Sequence, residues 1–144
     1  MGTLAVDTKV TRRTKPGDIV VPLVASAAFY KGAVLVFDAS GAAGTVKGHA
    51  TETTKFAGIA LEAAAAAGDT VSVLQLGDIE TPLAVQVDEG DEGTVIYCPA
   101  NSTNPADSNK TSSSNLAIGS LTLLLTEGAS GSNVSCVRIK AAGY

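Results

Sequence analysis

From residue 18 onward, short runs of Val, Ile and Leu alternate with clusters of Gly, Pro, Asp and Ser. This is the pattern of β-strands joined by turns. The runs predict strands over residues 18–24, 33–38, 56–61, 70–76, 83–87, 94–98, 120–126 and 133–140. Their separators are Lys15-Pro16-Gly17-Asp18, Ser40-Gly41, Gly77-Asp78 and Glu89-Gly90-Asp91. In such turns Gly supplies positive φ and Asp bonds nearby backbone. About eight short strands with such connections predict an all-β domain, either a small β-barrel or a β-sandwich.

Residues 61–68, Leu-Glu followed by five alanines and Gly68, fit two patterns. Alanine favours helix and Gly68 could cap one. An isolated helix that short is marginal, and strand-like sequence brackets it, which favours a strand followed by a small-residue connection.

Sliding the chain against itself by 63 residues lays Gly68-Asp69-Thr70-Val71-Ser72-Val73-Leu74-Gln75-Leu76 over Gly131-Ser132-Asn133-Val134-Ser135-Cys136-Val137-Arg138-Ile139, with three identities. Both segments change apolar phase midway, which predicts a β-bulge or a strand buried on both faces at its centre. Upstream, Ala57-Gly58-Ile59-Ala60-Leu61 is echoed by Ile118-Gly119-Ser120-Leu121 at an offset two residues different. Two related β-units, or a chance likeness of Val-rich strands, account for this. Between them, residues 98–115 are rich in Ser, Thr, Asn and Pro and read as a long surface loop.

The 144 residues suit one domain, and 45% hydrophobic content with 17% charge excludes a disordered chain. Aromatic side chains are few and Trp is absent, so the core rests on Val, Ile, Leu and Ala, light enough for neighbouring copies to complete it. The net charge of −4 is uneven. Residues 1–16 carry Lys9, Arg12, Arg13 and Lys15 against Asp7 alone. These residues read as a mobile basic N-terminal arm on a single β-domain, 17–144. The acidic remainder argues against nucleic-acid binding, which needs a basic stripe. No apolar run of about 20 residues offers a membrane span, and the N-terminus has no signal-peptide core, which points to synthesis in the cytoplasm.

Catalytic and metal chemistry find little support. His49 is the sole histidine, sits in Val46-Lys47-Gly48-His49-Ala50, and reads as an exposed loop residue. Cys98 and Cys136 lack metal-ligand spacing and read as buried free thiols. Gly41-Ala42-Ala43-Gly44-Thr45 lacks the Gly-Lys-Ser/Thr ending of a phosphate loop and reads as a hairpin loop. Asp88-Glu89-Gly90-Asp91-Glu92-Gly93 does not follow the spacing of a calcium loop and reads as a solvated acidic hairpin tip. The sequon-like sites at Asn101, Asn109 and Asn133 read as chance. The expectation is a non-enzyme with no catalytic, cofactor or metal residues.

The assembled segments resemble a known family. They are Lys31-Gly32-Ala33-Val34-Leu35-Val36-Phe37-Asp38, then Phe56-Ala57-Gly58-Ile59-Ala60-Leu61 with the alanine run and Gly68-Asp69-Thr70-Val71-Ser72-Val73, and the closing Gly131–Ile139. The pattern is similar to that of the capsid decoration, or cement, proteins of tailed bacteriophages. That resemblance implies a β-barrel or β-sandwich on the outside of the virion, assembled as a homotrimer at local three-fold positions, bridging major capsid proteins. No catalytic residue comes with it. The charge and low core content concentrated in residues 1–16 make Lys9, Arg12, Arg13 and Lys15 the expected capsid contact. The rival expectation is a host-surface or carbohydrate-binding β-module, which would need exposed aromatics from among Phe29, Tyr30, Phe37, Phe56, Tyr97 and Tyr144.

Overall fold

The structure, a computed structural model, describes residues 2–111 and 115–144. Among them there is no α-helix, only a 3-10 turn at Pro105–Asp107. The nine strands are β1 (Thr11–Arg13), β2 (Ile19–Val24), β3 (Val34–Phe37), β4 (Val46–Gly48), β5 (Phe56–Ala60), β6 (Thr70–Thr81), β7 (Val95–Cys98), β8 (Leu116–Thr126) and β9 (Val134–Lys140). They form one antiparallel sheet, ordered β4-β3-β5-β6-β9-β8-β7 with β1 and β2 also on β6, curled into a half-barrel. The all-β expectation holds, and the alanine run is indeed a connection: Asp69 Oδ2 accepts the N–H groups of Ala65 and Ala66 at 2.8 and 3.1 Å.

Three expectations change. Gly77-Asp78, read as a turn, lies inside β6, which continues to Thr81. Gly77, at φ +154°, lets the Asp18 carboxylate pack against the strand there; a Cβ would come within 3.1 Å of Asp18 Cγ. Residues 83–87, read as a strand, make only a bridge from Val87 to Gly128. Their backbone is bound instead by the Asn133 side chain, which accepts from Leu83 N–H at 2.9 Å and donates to the Leu83 and Val85 carbonyls at 3.0 and 3.1 Å. The polar loop is folded inward, with Ser102, Thr103, Asp107 and Ser108 buried. Residues 112–114 of that loop lie outside the described residues.

The repeat is larger than the sequence suggested and one residue out of step with the 63-residue overlay, since Val71 corresponds to Ser135 and Val73 to Val137. β3 and β5 pair Leu35 with Gly58, then slip register so that Val36 meets Phe56; β7 and β8 pair Ile96 with Gly119, then slip so that Tyr97 meets Ala117. Gly32 N–H donates to the Ala60 carbonyl as Gly93 N–H does to that of Leu121. Phe29 bridges Ala64 as Val87 bridges Gly128, and Val36 meets Lys47 as Tyr97 meets Asn109. Leu23 faces Val71 as Thr81 faces Ser135, so the end of β6 stands to β9 as β2 stands to β6. The chain is thus two copies of one β-unit, residues 19–76 and 77–140, fused through β6. In the first segment the phase shift sits at a bulge, with Gln75 the extra residue in β6. β9 has no extra residue and is instead buried on both faces across Ser135, Cys136 and Val137, the bulges at this pairing lying in β8.

The units pack in tandem. The inner face of the second unit (Leu83, Val87, Ile96, Ile118, Leu121, Val137) lies on the back of the first (Val34, Val36, Phe56, Ile59, Leu74) to form the larger core. The corresponding inner face of the first unit forms a smaller core, rich in alanine: Ala25, Ala33, Ala57, Ala60 and Ala64 with Phe29, Leu35 and Val73.

Candidate functional site

The N-terminal basic residues come first, because they carry the predicted contact. In place of a free arm, residues 2–16 run along the body. Leu4 is buried in the smaller core, and its N–H donates to Thr103 Oγ1 at 2.9 Å. Gly2 N–H donates to Asp107 Oδ2 at 2.7 Å, and β1 pairs with the end of β6. The apolar anchor at Leu4 and the strand register overcome the loss of chain entropy that favours a loose terminus.

Three of the four bases are paired within the chain: Arg12 with Asp18 at 3.5 Å, Arg13 with Glu80 at 3.3 Å and Lys15 with Asp78 at 2.9 Å. Asp78 also meets Arg138 at 3.3 Å, so one nearly buried carboxylate holds two cations on the outer face of the sheet. Arg13 and Lys15 remain exposed and line a shallow cleft of about 550 Å³ with Thr122 and Leu123. Lys9 is exposed and forms no ion pair among the described residues. Asp78, in mid-strand, is the residue the sequence reading missed; an acid between Gly77 and Ile79 carries no signal until the topology brings Lys15 and Arg138 to it.

His49 corrects another expectation. It is buried, with Nδ1 and Nε2 each 2.9 Å from a carbonyl oxygen, of Ser102 and Glu52 respectively. The ring pins the inward-folded polar loop to β4. Both cysteines are buried free thiols, as expected. Burial pushes the Cys98 thiol up to about 12, which leaves it no thiolate for nucleophilic chemistry near neutral pH. In the acidic tip, Asp91 accepts from Asp88 N–H and pairs with Lys110 at 3.0 Å, and Glu92 accepts from Gly90 N–H. These carboxylates fasten the turn. Asn133, one of the sequon-like residues, is buried.

Asp38 closes the β3–β4 hairpin. It accepts from Ser26 Oγ at 2.7 Å and from the N–H and hydroxyl of Ser40 at 3.0 and 2.9 Å. These donors, Ser26 foremost, lower its pKa from 3.8 to about 2. A depressed carboxylate adds stability above its unfolded-state pKa and loses it as pH falls through the folded value. The stability difference between wild type and Asp38→Asn is therefore expected to stay constant above about pH 5 and to shrink between about pH 4 and 2. Urea midpoints across that range check it.

With the geometry in place, one comparison decides the family. The sequence model of phage cement proteins matches residues 3–75, half of the chain. The chain belongs to the phage cement protein family. No curated protein matches it. The matched segment of this cement protein ends with the first β-unit. Membership places it on the phage capsid as a decoration protein and in a structural family rather than an enzymatic one. No helix among the described residues is long and apolar enough to cross a membrane.

Proposed function

We propose that the protein binds the outer surface of the phage head as a homotrimer, after synthesis in the host bacterial cytoplasm, and stabilises contacts between neighbouring major capsid proteins. The family match over residues 3–75 carries this reading. Cyclic symmetry supports the trimer: one chain set around a local three-fold can touch several capsid subunits at once, and the added contacts raise avidity without new chemistry.

The exposed cations Lys9, Arg13 and Lys15 are the proposed shell contact, with Arg12 holding the segment to Asp18. Deleting residues 1–16 would also remove Leu4 and β1 from the fold, so charge substitution is the cleaner test. Lys9→Glu is expected to lower occupancy on undecorated shells by about tenfold, roughly 1.4 kcal/mol, with thermal stability retained. Co-sedimentation at rising protein concentration reads this; occupancy equal to wild type would remove Lys9 from the interface.

A further inference from the structure

We infer that copies of this chain associate head to tail, the back of the second β-unit of one copy seating on the groove beside the inner face of the first unit of the next. The inference rests on the oligomeric reading above, though not on capsid binding. It begins from an interface already present. Within the chain, an inner face packs on a back, where Val34, Val36, Phe56 and Ile59 of the first unit cover the second unit's core. That arrangement uses the back of the first unit and the inner face of the second. It leaves the back of the second unit uncovered, whereas the inner face of the first is closed within the chain, with Ala25, Ala57, Ala60 and Val73 buried.

The unused back lies on the second unit at the matching positions Val95, Tyr97, Ala117 and Ser120. Val95 is 42% exposed, although its counterpart Val34 is fully buried. Ala117 is exposed, and Tyr97 and Ser120 are half-buried. The inner face of the first unit is covered within its own chain, with Leu4 in its cluster. There alanines stand where the second unit has larger side chains: Ala25 for Leu83, Ala57 for Ile118, Ala60 for Leu121. Beside these alanines opens a groove of about 590 Å³ lined by Leu4, Ala28, Phe29, Tyr30, Ala50 and Ala64. Tyr30 is 44% exposed. The first unit's inner face thus closes on small side chains, and the open groove lies at its margin.

Charge selects the same orientation. Residues 1–76 hold seven Lys and Arg against six Asp and Glu, whereas residues 77–144 hold three against eight. Head-to-tail contact brings the acidic second unit to the near-neutral first, with Lys47 on the groove wall and Lys31 next to Tyr30. A two-fold contact would set like against like. A heterologous contact of this kind closes into a ring when its rotation permits, which a homotrimer requires.

The test uses the full chain without capsids. Sedimentation velocity is expected to show a closed oligomer for wild type, and Val95→Arg with Ala117→Arg is expected to weaken association at least tenfold while near-ultraviolet circular dichroism is unchanged. Both residues are surface positions, so the fold should tolerate the change. In a second arm, chains carrying Val95→Cys are mixed with chains carrying Ala28→Cys under oxidation. An interchain disulfide joining one of each is expected, and neither variant alone should form it. A wild type that remains monomeric, or an oligomer indifferent to the arginines, overturns the inference. Shell binding by the monomeric arginine variant would leave the decoration reading standing and is measured separately.

Discussion

Alanine at Gly58 or at Gly119 is expected to cost at least about 3 kcal/mol and to sharply reduce the soluble folded protein. The two glycines hold equivalent bulges in β5 and β8, at φ +133° and +157°. No L-residue adopts such backbone without strain. Space is absent as well: a Cβ at 58 would run into the carbonyl oxygen of Leu74, and one at 119 into that of Arg138. These obstacles are backbone atoms of the neighbouring strand, so no rotamer change relieves them. The sheet would have to part at β5–β6 or at β8–β9. Gly68→Ala is the control, because Gly68 also has positive φ but meets nothing within 4 Å. Urea unfolding of the three variants should show a modest loss for Gly68→Ala and large losses for the other two. Three equal small losses would mean that the bulges are not the points of close strand approach described above.

Asn133→Ala should be the next most damaging change, at about 2–4 kcal/mol. Asn133 is 1% exposed and serves the segment that fails to form a strand. Its amide oxygen accepts from Leu83 N–H and from Ser135 Oγ at 3.0 Å, while its nitrogen donates to the Leu83, Val85 and Ala129 carbonyls. Alanine leaves the buried Leu83 N–H and Ser135 hydroxyl without their acceptor and the Val85 carbonyl without its donor, while the Leu83 and Ala129 carbonyls keep the N–H groups of Gly131 and Ser132. Each unmet buried group carries a desolvation penalty. Asn133→Asp is instructive beside it: the acceptor survives, but a carboxylate would face three carbonyl oxygens. Both variants are expected to unfold at clearly lower urea than wild type. Midpoints equal to wild type would show that Leu83–Val87 is held by its apolar packing alone.

Much of this architecture was legible because strand periodicity is a local property. The Val-rich runs that became β2, β3, β5, β7 and β9 could be read directly, and the Gly58/Gly119 echo marked the duplication because a bulge of this kind demands glycine. The three-residue strands β1 and β4 were not legible; Thr11–Arg13 and Val46–Gly48 are strands only because β6 and β3 lie beside them. The same holds for burial of polar side chains. His49 and Ser102 look like loop residues until the topology folds one against the other. The basic segment was legible as charge, but its pairing with Asp18, Asp78 and Glu80 depends on partners up to 67 residues away.

The duplicated unit also gives physical content to the light core noted in the sequence. The alanine-rich inner face belongs to the first unit alone, the segment that the family pattern covers. The second unit has Leu and Ile at those positions and is closed by the first. In the function proposed above, the work is done by surfaces, one set toward the shell and one toward other copies.

Electron cryomicroscopy of undecorated phage shells mixed with the purified protein tests this most directly. The account predicts ordered added density on the outer surface at local three-fold positions, with the curled sheet fitted so that Lys9 and the β1 segment lie nearest the shell. Shells without ordered added density at symmetry-related sites would contradict it.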